Sequence, residues 1–213
     1  MEALFIFIAK SGGLIAIFYF AYYFLLRKET FFNSNRWFLL AGLFTSVILP
    51  LIVYTKVIWI DPVALPSNLD YSVTYIPQNT AEKTFEINWN LIYLFVYIIG
   101  FLTFIIKFAI DFYSLNTVLK GKKVEQQADF KFIDVNENIA PFSYFDYIVY
   151  NSSMYTASEL ENILEHEKVH SDQKHTIDVL ISRLFCILFW FNPIIWLYKK
   201  VILQNLEFIA DNE

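Results

Sequence analysis

The residues best equipped for chemistry lie in one short run, Glu165-His166-Glu167-Lys168-Val169-His170. It has the form H-E-x-x-H. His166 and His170 are four apart, a spacing that stacks two imidazoles on one face of a helix, where both can bind one zinc ion. Glu167 lies beside them and can take a proton from a zinc-bound water, whose pKa zinc lowers to about 7. The plain alternative is a solvated helix carrying two histidines by chance. A third ligand weighs against it. Glu207 opens Glu207-Phe208-Ile209-Ala210-Asp211, which reads E-x-x-A-D, and one Glu with two His makes a catalytic zinc set with a position left for water. Asp211 shares the face of Glu207 and could hold a ligand histidine by its second ring nitrogen.

Between these motifs an apolar run is broken by Phe191-Asn192-Pro193. H-E-x-x-H, F-N-P and E-x-x-A-D in this order resemble the membrane-embedded zinc peptidases of the BlaR/MecR type, the β-lactam-sensing antirepressors. The resemblance covers about Ile139 to the end of the sequence, and the upstream part by layout. It implies a zinc-dependent endopeptidase with Zn2+ on His166, His170 and Glu207. Glu167 would be the general base for water attack and then the acid toward the leaving amine. It implies a protein substrate, in the resembled sensors a cytoplasmic helix-turn-helix repressor, and a cleft bordered by a segment like Ala140-Pro141-Phe142-Ser143. Pro141, Phe142 and Ser143 are therefore expected substrate contacts. The resembled sensors also carry a large extracellular penicillin-binding domain after the membrane unit. No S-x-x-K of the sensor type is recognised in these 213 residues; either they are a fragment or the signal arrives by another route, and whether that signal is a β-lactam is left open.

The elements that must position these residues are largely apolar. The chain is 57% hydrophobic and 17% charged, which calls for membrane spans rather than an ordinary soluble domain. Its net charge of −5 gives no general case for nucleic-acid binding. Cys186, the lone cysteine, sits in an apolar run and reads as an inert thiol. Leu4–Leu26 is long enough to cross a bilayer; Glu2 and the absence of an A-x-A site argue against a signal peptide. Lys10 can snorkel, with an intramembrane site as its alternative. A polar connection, Arg27–Arg36, leads to a second span at Trp37–Trp59, kinked at Pro50. An acidic loop at Asp61–Glu86, with a short strand expected at Val73–Ile76, precedes the third span, Ile87–Ile110. Lys and Arg collect in the first connection and after the third span, so these face the cytoplasm by the positive-inside rule and the acidic loop faces outward.

The rest, 111–213, is expected to be the peptidase unit. Alternation predicts strands at Asp129–Val135 and Tyr144–Tyr150. An edge strand beside the cleft could pair with an extended substrate, or the sheet may simply brace the zinc helix. Thr156-Ala157-Ser158-Glu159 predicts a capping box, with Ser158–Glu161 as a second register. On a continuing helix His175 would lie roughly 140° round from His170, so a surface histidine is expected there. Asp172 and Asp178 read as solvated or outer groups, and the resemblance favours a structural role for Asp178.

Geometry then constrains the path to Glu207. Were 177–200 one span, His170 and Glu207 would stand about 30 Å apart, which one zinc cannot bridge. The run must fold back at Asn192-Pro193. The unequal arm lengths require the zinc helix to end between Ser171 and Thr176, with a new helix from Ile177 and Thr176 as its N-cap. The expected fold is thus a mainly α membrane protein. It has a three-span region at 1–110 with an outward loop at 60–86, and a small α+β zincin-like cytoplasmic part at 111–213. The latter includes a membrane-dipping helical hairpin at 177–211, Ile177–Phe191 and Pro193–Asp211. The expected function is a signalling endopeptidase of the bacterial inner membrane whose site faces the cytoplasm. Its partners would be a peptide or protein substrate and the lipid bilayer, with a homodimer left open. The alternatives are a housekeeping membrane protease like HtpX or the CaaX-processing enzymes, and a zinc-stabilised receptor or scaffold that does not cleave. Intact Glu167 argues against the last, since a structural zinc site does not require it.

Overall fold

A computed structural model of the chain describes residues 2–52, 57, 59 and 88–212. The expected strand at Val73–Ile76, the whole acidic loop Asp61–Glu86 and Lys56 lie outside the described residues. Among the described residues the order is helix α1 (Glu2–Ala21, continued by a wider turn at Tyr22–Leu26), α2 (Phe32–Ile48, tightening at Leu49–Leu51), α3 (Trp89–Leu119), strands β1 (Glu125–Gln127), β2 (Phe130–Asp134), β3 (Phe142–Tyr144) and β4 (Tyr147–Tyr150), then α4 (Ala157–Asp172), α5 (His175–Leu188) and α6 (Pro193–Asn212). Glu2–Leu26, Phe32–Leu51 and Trp89–Leu119 are long and apolar enough to cross a membrane. The second starts earlier than Trp37, because the helix takes in Asn33 to Arg36. Arg36 therefore belongs to a helix and not to the connection. Pro50 falls where α2 tightens, as expected of a residue that cannot donate to the preceding turn.

α6 is the central element. Ile195, Tyr198, Ile202, Leu206 and Ile209 are buried with Ile15 of α1, Leu39 and Leu43 of α2, and Phe185 of α5. The Tyr198 hydroxyl donates to the Leu39 carbonyl at 2.8 Å, and Asn205 Nδ2 to the Phe32 carbonyl at 2.9 Å. Gly42 makes this approach possible, since a Cβ there would lie 2.5 Å from the Tyr198 hydroxyl. The F-N-P stretch is the start of α6: Asn192 Oδ1 accepts from Ile194 N at 2.9 Å, and Pro193 takes the first helical position, where a missing N–H costs nothing. α5 and α6 pack on one another across this turn.

The sheet runs β1-β2-β4-β3. β1 is antiparallel to β2, β2 parallel to β4, and β3 antiparallel to β4. The single strand expected over Tyr144–Tyr150 is two, because Phe145 turns the chain with φ 52°, a left-handed conformation that breaks a strand. β3 is thereby an edge strand. The sheet's small core of Ile133, Val135 and Val149 packs against Val118 and Leu119 at the end of α3. α3 is longer than the expected third span for this reason, and its described part has no buried residue.

Candidate metal centre

α4 begins where its sequence says it should. Thr156 Oγ1 accepts from Glu159 N, and Glu159 Oε2 accepts from Thr156 N at 2.9 Å, closing the capping box. It ends at Asp172 because Lys174 adopts φ 54°, and α5 starts at His175. The break falls inside the expected window, but Thr176 is not the N-cap. Its hydroxyl accepts from Phe145 N at 3.1 Å, while the Ser171 hydroxyl donates to the Phe145 carbonyl. Both backbone groups of Phe145, in the β3–β4 turn, are thus held by the α4–α5 junction. Ser171 and Lys174 do bracket the letters S-x-x-K, but here they are a hydrogen-bonded helix end.

α4 packs on α6, and this brings the motif residues together. His166 Nε2 lies 3.1 Å from His170 Nε2 and 3.4 Å from Glu207 Oε2, and His170 Nε2 lies 3.7 Å from the same oxygen. No other triad of His, Cys, Asp or Glu converges in this way among the described residues. The spacing fits a small metal ion. Tetrahedral zinc with bonds of about 2.0–2.1 Å puts its ligands about 3.3 Å apart. Two imidazoles and a carboxylate are also the donor types zinc accepts. Asp211 Oδ1 is 3.2 Å from His166 Nδ1, the ring nitrogen that faces away from Glu207.

The outer nitrogen of His170 has a partner the sequence reading assigned elsewhere. His175 is buried, not on the surface. Its Nδ1 lies 2.7 Å from His170 Nδ1, and its Nε2 lies 3.3 Å from Gln173 Oε1. Arg36 Nη1 donates to the same Gln173 oxygen at 3.2 Å, and Nη2 donates to the Gln173 carbonyl at 2.9 Å. Asp178 is buried as well, and takes Arg36 Nε at 2.5 Å. Burial pushes the His175 imidazole down to about 3, and burial also holds His170 below its ordinary value. Both shifts favour the neutral ring, the form in which an imidazole can donate a lone pair to a metal.

The motif opens on a cleft of about 360 Å3 lined by Pro141, Phe142 and Ser143 together with Glu167, His170 and Glu207. Edge strand β3 thus borders the same space as the candidate base. Asp172 takes no part in the described hydrogen bonds of the site.

Known proteins agree with this part of the chain. Residues 146–213 match the family described as BlaR1 peptidase M56. The regulatory protein BlaR1 of Bacillus licheniformis is 36% identical over 62 residues, which is 28% of this chain and 10% of that protein. The matched stretch holds H-E-x-x-H, F-N-P and E-x-x-A-D in order, so residues 146–213 are similar to the BlaR/MecR-type M56 peptidases, and the chain spans only a small part of the length of that relative.

Proposed function

We propose that the protein is a membrane-anchored zinc-dependent endopeptidase whose site faces the cytoplasm, and that it cuts a cytoplasmic regulator, such as a helix-turn-helix repressor, in response to a signal. The observation that carries the reading is the convergence of His166 Nε2, His170 Nε2 and Glu207 Oε2 at spacings of 3.1 to 3.7 Å beside a carboxylate, Glu167, that none of those bonds requires. His166, His170 and Glu207 would hold zinc. Bound there, zinc supplies a Lewis acid and a water acidic enough to lose its proton near neutral pH.

The chain's own groups do the rest. Glu167, half-buried on the cleft wall, accepts the proton of the attacking water and delivers it to the leaving amine. Asp211 and His175 keep the two rings turned so that each Nε2 faces the common point. The open edge of β3 offers unpaired backbone groups to an extended peptide, the way sheets commonly take a substrate strand. Pro141, Phe142 and Ser143 would contact its side chains.

The test is metal content and proteolysis of the detergent-purified chain. One zinc per chain is expected. Glu167→Gln should keep the metal and lower cleavage of an unfolded protein substrate at least about a hundredfold, while His170→Ala should lose both. Cleavage by Glu167→Gln at the native rate would overturn the mechanism.

A further inference from the structure

α3, α5 and α6 border a second cavity, of about 200 Å3. Its charged lining is Lys107 and Asp111 from α3, Arg183 from α5 and Lys199 from α6, three cations against one carboxylate. The carboxylate meets Arg183, with Oδ2 and Nη1 3.4 Å apart and side chains 49% and 40% exposed, an open pair that a second anion can join. Lys107 and Lys199 form no ion pair among the described residues, so the cavity holds a surplus of positive charge. The remaining lining is apolar; the rings of Phe104 and Trp196 within it have centroids 5.4 Å apart. The depth follows from α3. Its uncharged stretch, Trp89–Ile106, is about 27 Å long, against a hydrocarbon layer of about 30 Å. With α3 spanning the bilayer, Lys107 and the cations that share its cavity come at the level of the lipid phosphates. No described residue of α3 is buried, which leaves the apolar face leading to Lys107 open to lipid chains.

We propose that this cavity binds the phosphodiester of an anionic phospholipid, with Lys107, Arg183 and Lys199 on the phosphate and an acyl chain beside Phe104 and Trp196. A phosphate oxygen accepts from an ammonium or a guanidinium in a charge-assisted hydrogen bond, and a guanidinium can serve two oxygens at once. A zwitterionic headgroup brings its own ammonium, which the surplus charge repels. An anionic headgroup brings none, and basic pockets between membrane helices favour it. Lys200 is next to Lys199 in sequence and exposed, yet does not line the cavity. It therefore separates a distinct site from a general attraction of basic residues to a negative surface. Arg183 lines the cleft as well, so the lipid site and the cleft share a side chain. The lipid site does not depend on the reading of His166, His170 and Glu207 as metal ligands.

The test uses the full chain, purified in detergent and stripped of lipid, with phosphatidylglycerol as the probe and phosphatidylcholine as the zwitterionic control. Native mass spectrometry reads bound lipid per chain and the affinity for each. The native chain should take one phosphatidylglycerol at least about tenfold more tightly than phosphatidylcholine. Lys199→Gln should cut that preference about fivefold, and Lys107→Gln, at an exposed position, should do the same. Lys199→Arg, which keeps the charge, should retain it, and Lys200→Gln should stay within about twofold of native. No preference in the native chain, an unchanged preference in both Lys107→Gln and Lys199→Gln, or an equal loss in Lys199→Gln and Lys200→Gln would overturn the proposal. Displacement of the lipid by an equal concentration of inorganic phosphate would assign the cavity to free phosphate and overturn it as well.

Discussion

Removing the Arg36 side chain, as in Arg36→Met, strips the partner from a carboxylate that is almost fully enclosed. The pair has 13% and 5% of its side chains exposed, with Nε and Oδ2 at 2.5 Å. Breaking a buried pair from one side costs about 3–5 kcal/mol, because the remaining charge keeps its desolvation penalty. For a chain of this size that corresponds to a fall of about 6–20 °C in the thermal midpoint. The loss should depend on pH. Burial already raises the Asp178 carboxyl above its ordinary value of 3.8, with Arg36 acting in the opposite sense. Without Arg36 it rises further. A carboxyl raised in the folded state favours folding below its unfolded pKa and loses that contribution as pH climbs through the folded value. The penalty of Arg36→Met should therefore be larger at about pH 7.5 than at about pH 5. Removing both ends in Arg36→Met/Asp178→Leu should recover most of the loss, since no charge is then left buried. The assay is tryptophan fluorescence on heating in detergent at both pH values. A single variant within about 0.5 kcal/mol of native, or a double variant equal to the sum of the singles, would refute the reasoning.

Asp211→Ala should leave the fold intact, as residue 211 is exposed, and weaken zinc binding about tenfold in chelator competition; unchanged affinity would remove Asp211 from the site. For orientation, a cysteine at Asn88, exposed just ahead of α3, should react with an impermeant thiol reagent on intact cells and one at the exposed Asn138 should not. The reverse pattern would move the cleft to the outer side.

The first-order features of the site were legible because they are local. An i, i+4 histidine pair needs only a helix, and the capping box at Thr156 and Glu159 announces where that helix starts. The helix break near residue 173 followed from arm length alone. The same break undoes the argument about His175: its angle round from His170 was worked out for a continuing helix, and a left-handed Lys174 cancels it. Arg36 was read for its charge and counted toward topology. Nothing in a one-dimensional pattern says that it meets Asp178 and Gln173 across the fold. The β3–β4 turn was hidden for a different reason. Tyr144 to Tyr150 alternates well enough for one strand, and only the helix junction that grips Phe145 explains why the chain turns there.

The length of α3 has a mechanical consequence. Its 31 residues span about 46 Å, against a hydrocarbon layer of about 30 Å. Its first charge, Lys107, comes about 27 Å beyond Trp89. Were Trp89 and Lys107 to meet opposite interfaces, Phe108–Leu119 would stand clear of the lipid with the sheet packed at its end. The sheet is moored a second time, at Phe145, to the α4–α5 junction. A bilayer thinner than this apolar stretch would tilt the helix, and tilting while the second mooring holds would displace β3 relative to the cleft. On that reading KM should change between short-chain and long-chain lipid vesicles; the same KM in both would show that α3 does not bear on the cleft.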